Sequence, residues 1–207
     1  MKRTANIHGL YGIADAAACN GDPVHGASQL LAGGCRIVQL RCKGWSLNDI
    51  EQAGRAIRDL CLPHAATFIL NDHPHLVESV GAHGVHIGQE DPHPSVVRAQ
   101  LGPQAIIGWT TNDPQHLHHI PSEIDYLAYG PIWSSKRAGS HKTTQGFEAF
   151  LHARKIMPPD LPLVAIGGIR ADKIPVVRNA GASAWAVIGA VFDAEDPVEA
   201  TRTLVMV

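Results

Sequence analysis

Ala32-Gly-Gly-Cys-Arg-Ile-Val-Gln39, Val80-Gly-Ala-His-Gly-Val-His-Ile87 and Ala180-Gly-Ala-Ser-Ala-Trp-Ala-Val187 share one grammar, and it decides the fold. In each, an apolar helical pattern ends at Gly, a small residue follows, and a strand-forming run begins. Gly just past a helix end supplies the left-handed stop, and a short loop leads straight into the next strand. Glu123-Ile-Asp-Tyr-Leu-Ala-Tyr129 is a variant without the glycine. Working outward, strands are expected over Leu10–Ala14, Arg36–Arg41, Thr67–Asn71, Gly84–Ile87, Ala105–Trp109, Tyr126–Gly130, Leu163–Ile166 and Ala184–Ile188. Helical patterns lie between them, at Pro23–Ala32, Leu47–Leu62, Pro74–Val80, Pro94–Leu101, Pro114–His119, Phe147–Met157, Ile174–Ala180 and Pro197–Leu204. Several open on Pro, whose missing N–H costs nothing in a first turn. Eight strands alternating with eight helices point to a parallel sheet that closes as an α/β (β/α)8 TIM barrel. A doubly wound open sheet is the competitor. It fits less well, because eight even units leave no edge strand and no Gly-x-Gly-x-x-Gly follows the first strand.

The length of 207 residues suits one domain over residues 1–207, with a substantial core. A net charge of −2 gives no basic footprint for nucleic acid or an anionic membrane. The apolar runs are strand-length, so no membrane-spanning helix is expected. Residues 1–9 lack an apolar signal core, and a cytoplasmic protein is expected. Cys19, Cys35, Cys42 and Cys61 show no Cys-x-x-Cys spacing and read as reduced thiols. The histidine clusters His73-Pro-His75 and His116-Leu-His-His119 lack the Cys or carboxylate partners of a zinc set, and read as surface residues.

A barrel carries its active site at the C-terminal ends of its strands. Gln39, Arg41 and Lys43 end the second strand on one face by period-2 alternation, and two cations at a mouth suit a polyphosphate. The third strand ends in Asn71-Asp72, and the segment after the fourth holds Gln89-Glu-Asp91. Two carboxylates on neighbouring strands suit a hard divalent cation such as Mg²⁺. The competing role for both is a helix N-cap ahead of a proline. Gly167-Gly168 and Ile188-Gly189 follow strands seven and eight, the frequent phosphate site of such barrels. Between Ile132 and Gln145 runs a long irregular segment with hydroxyls and cations, expected to act as a mobile lid over phosphate. Two phosphorylated small molecules, one a pyrophosphate, would use all of this.

Together Gln39-Leu-Arg-Cys-Lys43, Phe68-Ile-Leu-Asn-Asp72, Gly84-Val-His-Ile-Gly-Gln-Glu-Asp91, Asp125-Tyr-Leu-Ala-Tyr-Gly-Pro-Ile132 and Ala165-Ile-Gly-Gly168 resemble the thiamine phosphate synthase family over nearly the whole chain. The resemblance implies a cytoplasmic transferase of thiamine biosynthesis. It would condense an aminopyrimidine (hydroxymethylpyrimidine) pyrophosphate with a thiazole phosphate, releasing pyrophosphate. It implies Mg²⁺ on Asp72 and Asp91, pyrophosphate on Arg41, Lys43 and Asn71, and the pyrimidine on Gln39. The thiazole phosphate would meet Gly167, Gly168, Ile188 and Gly189, with Thr110, Ser135 and Lys136 as further substrate contacts. A homodimer is the candidate assembly.

The chain departs from the family pattern in three places. Ser134-Ser-Lys-Arg-Ala138 stands for Pro-Thr-x-Thr-Lys after strand six, so position 138 carries no cation. Thr110-Thr-Asn112 stands for Ser-x-His after strand five, and Ile188-Gly189 lacks the usual serine. A thiazole tautomerase-like isomerase and a non-catalytic regulatory barrel binding a thiamine precursor are the alternatives. The paired carboxylates, and an amide at Asn112 that cannot shuttle protons near neutral pH, favour the synthase.

Overall fold

The computed structural model describes residues 7–135 and 143–207. Among them, eight parallel strands close in chain order: β1 (Gly9–Asp15), β2 (Ile37–Arg41), β3 (Thr67–Asn71), β4 (Gly84–Ile87), β5 (Ile106–Thr111), β6 (Tyr126–Tyr129), β7 (Leu163–Ile166) and β8 (Ala184–Val187). The ring is completed by β8 pairing with β1, Gly9 opposite Ala184 and Gly12 opposite Val187. The expected (β/α)8 barrel is therefore present.

Helices α1 (Pro23–Ala32), α2 (Leu47–Cys61), α3 (Val77–Val80), α4 (Pro94–Leu101), α5 (Phe147–Ile156), α6 (Ile174–Asn179), α7 (Gly189–Phe192) and α8 (Pro197–Met206) surround it. Two expectations need correction. The fifth connection is a 3-10 turn over Pro114–His118 rather than an α-helix. Asp113 caps its first turn, but the segment is too short and histidine-rich to hold a regular helix. Before α3, Pro74–Leu76 is also a 3-10 turn, leaving a single α turn. The short α7, directly after β8, is an extra element that the sequence pattern concealed.

The repeat grammar works as the sequence suggests. Gly34, Gly81 and Gly181 take φ of 98, 72 and 91°, the left-handed stop between a helix and the next strand. Strand alternation sorts the core into two layers. Outward side chains such as Val38, Leu40, Phe68 and Leu70 pack under the helices. Inward ones, among them Ile37, Ile69, Ile106 and Val164, fill the lower barrel. Higher up, Ala128 and Ala186 are small and leave the interior open toward the C-terminal ends of the strands.

Candidate active site

A cavity of about 1670 Å³ opens at those strand ends. Gln39, Arg41, Lys43, Asn71, Asp72, Asp91, Thr110, Ser135, Gly168, Ile188 and Gly189 all line it. The proposed contact Lys136 lies outside the described residues, as do Arg137 and Ala138. A smaller concavity of about 610 Å³, beside the starts of α1 and α2, holds none of the expected residues.

One lip is charged. The inward series of β2 carries Gln39 and Arg41, and Lys43 follows just beyond the strand. The Arg41 guanidinium donates to the carboxylate of Asp15, the last residue of the neighbouring β1. Asp15 is only 5% exposed and also accepts from the Ala18 N–H at 3.0 Å. It anchors the guanidinium at the mouth, a role the sequence reading missed although strand parity aligned Asp15 with Arg41. Lys43 pairs with Asp72.

The competing N-cap role fails for both carboxylates. His73, not Asp72, stands at the cap position of the Pro74 turn, and it makes no side-chain cap bond. Asp72 instead adopts a left-handed backbone, φ 62°, a conformation costing a non-glycine residue about 1 kcal/mol. Its N–H donates to the His86 carbonyl at 2.9 Å. His93 caps α4, while Asp91 folds back to accept from the Gly88 N–H at 2.7 Å. Burial raises the Asp91 carboxyl above its usual range; the Gly88 N–H opposes this, and the neighbouring Asp72 carboxylate pushes further upward. Gln89 is turned away from the pair, donating to Thr111 at 2.9 Å and lying 3.0 Å from His116.

This donor set fits Mg²⁺. Two hard carboxylates repel one another beside a cavity, and a cation between them would relieve that repulsion. Among the described residues, no group of three or more His, Cys, Asp or Glu side chains comes together. Mg²⁺ commonly takes one or two carboxylates and completes its shell with water and substrate phosphate.

The opposite lip is made of glycine backbone. Gly167 and Gly168 have φ of 100 and 67°. A Cβ on Gly167 would lie 2.4 Å from Pro131 Cα, and one on Gly168 2.8 Å from the Ser134 carbonyl oxygen. These glycines thus serve close packing against the Pro131–Ser134 segment as well as exposing backbone. Trp133 N donates to the Gly167 carbonyl at 3.1 Å, which ties the segment after β6 to the end of β7; the centre of the expected lid, residues 136–142, lies outside the described residues. At the end of β8, Gly189 opens α7, whose first N–H groups have no acceptor within the helix. Arg170 and Lys173 also line this side, with Lys173 Nζ 5.4 Å from the centre of the Trp133 ring. The sequence reading did not single out either cation, since both lie beyond the strand end.

Beneath the lips, the buried Gln39, Tyr11 and Tyr126 and the half-buried His86 and Thr110 form a polar chain. Tyr11, His86 and Tyr126 were not expected, though strand parity turns all three inward.

A (β/α)8 barrel with a charged lip and a glycine lip on one cavity at its strand ends defines the class of barrel enzymes that act on small molecules there. The thiamine monophosphate synthase family profile matches residues 10–191. The chain is 35% identical to a thiamine-phosphate synthase from Laribacter hongkongensis over 199 residues, covering 95% of this chain and 93% of that one. A second such synthase, from Thioalkalivibrio sulfidiphilus, is 40% identical over 181 residues, covering 86% and 84%. The structure superposes on thiamine phosphate pyrophosphorylase from Pyrococcus furiosus with a TM-score of 0.86 at 28% identity, over 96% and 94% of the chains. Orotidine 5'-phosphate decarboxylase from Pyrococcus horikoshii, at 16% identity and a TM-score of 0.65 over 94% and 97%, shares the fold alone. This chain belongs to the thiamine monophosphate synthase family.

Proposed function

We propose that this chain, working as one barrel over residues 1–207, is a transferase of thiamine biosynthesis. It joins an aminopyrimidine pyrophosphate to a thiazole phosphate, giving thiamine phosphate and pyrophosphate. The observation that carries this reading is the pair of unlike phosphate lips on one cavity. Arg41, Lys43, Asn71, Asp72 and Asp91 stand on one side, and Gly167, Gly168 and Gly189 on the other.

In this reading the pyrimidine lies over Gln39 with its pyrophosphate toward Arg41 and Lys43. The C–O bond to pyrophosphate breaks and its electron pair leaves with the phosphate oxygen. The resulting pyrimidine-methyl cation is stabilised by its own amino group. Arg41 and Lys43 oppose the negative charge that develops on the leaving group, and Asp15 holds Arg41 in place for that task. Asp72 and Asp91 would hold Mg²⁺, which when bound neutralises charge on pyrophosphate. The glycine lip holds the thiazole phosphate so that the ring nitrogen faces the cation and captures it. Positioning two reactants in this way supplies much of the acceleration, and no protein nucleophile is required.

The paired carboxylates favour this reaction over thiazole isomerisation. The test is direct: mix both phosphorylated precursors with Mg²⁺ and measure pyrophosphate release and thiamine phosphate. Product is expected only when both precursors and Mg²⁺ are present. Absence of turnover with both substrates bound would overturn the reading.

A further inference from the structure

Under the cavity a line of hydrogen bonds crosses the barrel through five strands. Gln39 Nε2 donates to the Tyr11 hydroxyl at 2.7 Å. Tyr11 and Tyr126 hydroxyls are 2.8 Å apart, and Tyr126 is 2.9 Å from His86 Nδ1. His86 Nε2 lies 2.5 Å from Thr110 Oγ1.

Proton counting makes the line run wholly one way or wholly the other, and the Gln39 Nε2 donor selects which. A phenol has one hydrogen, and each of these phenols has two polar neighbours, so each donates once and accepts once. Because Tyr11 accepts from Gln39, its hydrogen goes to Tyr126. Tyr126 then gives its hydrogen to His86 Nδ1, which must be unprotonated. The imidazole proton sits on Nε2 and is donated to Thr110, whose own hydrogen is left for the cavity. Every bond points the same way, an arrangement in which neighbouring bonds strengthen one another. Burial raises both phenol pKa values well above the usual range, which keeps the two links neutral.

The sheet is shaped to hold this line. A Cβ on Gly108 would lie 2.0 Å from Tyr126 Cζ, so the strand next to β6 leaves a gap for the ring. The His86 ring stacks on Tyr126 with centroids 5.5 Å apart, and Tyr11 meets it edge-on at 6.0 Å.

The consequence falls on Gln39. It is 3% exposed, and one of its two Nε2 hydrogens is engaged by Tyr11, which turns the amide so that Oε1 points away from Tyr11 toward the cavity it lines. Rotating the amide alone would aim a carbonyl oxygen at a phenol oxygen whose hydrogen is committed elsewhere. Rotation therefore requires reversing both phenols, the imidazole tautomer and Thr110 together.

We infer that Tyr11 and Tyr126 are positioning residues that lock Gln39 with its carbonyl oxygen facing the substrate, so that the site accepts a heterocycle bearing an amino N–H and rejects its oxo analogue. The identity of the heterocycle rests on the reading given under Proposed function; the direction of the line does not. A site that pairs a substrate N–H discriminates strongly, because the oxo analogue sets oxygen against oxygen.

Tyr126→Phe is the informative variant, since Tyr126 is hydrogen-bonded to Tyr11 rather than to Gln39 and the exchange nearly conserves volume. Two measurements are made, with thermal melting as the control for folding. Hydrogen exchange of the Gln39 side-chain amide, assigned by its loss in Gln39→Leu, is followed by NMR. Inhibition constants are compared for the amino and oxo forms of the pyrimidine pyrophosphate. Slow Gln39 exchange in the wild type should quicken in Tyr126→Phe and Tyr11→Phe, and preference for the amino form should fall at least tenfold. Thr110→Val, which cuts the far end of the line, should also quicken Gln39 exchange and serves for that readout if a phenol variant fails to fold. Unchanged preference and unchanged exchange in folded Tyr126→Phe would overturn the inference. If the wild type binds neither form and releases no pyrophosphate, the transferase reading fails, and Gln39 exchange alone decides the inference.

Discussion

The two lips of the cavity offer a ligand groups of opposite kinds. On the β2–β4 side the groups are full charges, and they arrive already paired: Arg41 with Asp15, Lys43 with Asp72. On the β7–β8 side the groups are backbone N–H donors on glycines, held by the fold rather than by partners. Charged side chains need internal partners to be placed, but those partners can be exchanged when a ligand arrives. Lys43, with a side chain 63% exposed, can exchange Asp72 for phosphate, whereas the Arg41 anchor Asp15 is buried and fixed. The charged lip thus suits a group that must be held while its charge grows and then released. The glycine lip suits one held unchanged throughout.

The sharpest way to break this contrast is to remove a carboxylate. Asp72→Asn and Asp91→Asn should each lower Mg²⁺-dependent turnover by about 100-fold or more, the usual scale for loss of a transition-state electrostatic contact. Steady-state pyrophosphate release checks this, with circular dichroism confirming the fold. Full activity in both would remove the metal assignment.

On the other lip the effect should be smaller and fall on the other substrate. Gly168→Ala places a Cβ 2.8 Å from the Ser134 carbonyl at φ 67°, so the loop must shift. A loss of about 1–3 kcal/mol in stability is expected from such strain. The KM for thiazole phosphate should rise about tenfold while that for the pyrimidine holds, since the predicted change is a local displacement. Equal rises in both constants would dissolve the distinction between the lips.

The smallest effect concerns the buried thiols. Burial pushes the thiols up, Cys35 to about 11 and Cys42 and Cys61 to about 12. Groups whose folded pKa is raised stabilise fully below the unfolded value and lose that contribution as pH climbs through the folded one. Stability in urea should therefore decline from about pH 9, the ordinary thiol value, toward pH 12. Cys42→Ser should flatten part of that decline if it folds; a curve unchanged over this range would contradict the thiol burial.

Much of the architecture was legible because its signals are local. The bounds of β3, β4 and β7, and of α1 and α4, match the sequence reading residue for residue. Gly stops, Pro starts and period-2 runs each depend on a handful of neighbouring residues. Parity also placed Gln39 and Arg41 inward. What parity left open was pairing. Asp72 could have been a helix cap, and its left-handed backbone and bond to Lys43 exist only because β2 and β3 lie side by side.

The sequence by itself determined the repeated unit, the closed barrel and the set of polar groups at its mouth. These follow from short-range periodicity and turn chemistry. Tertiary structure alone decided which of those groups meet: Asp15 with Arg41, Asp91 beside Asp72, and Tyr11 with Tyr126 across 115 residues of chain. Such contacts depend on the stagger with which the sheet closes on itself, a long-range property that no local window contains.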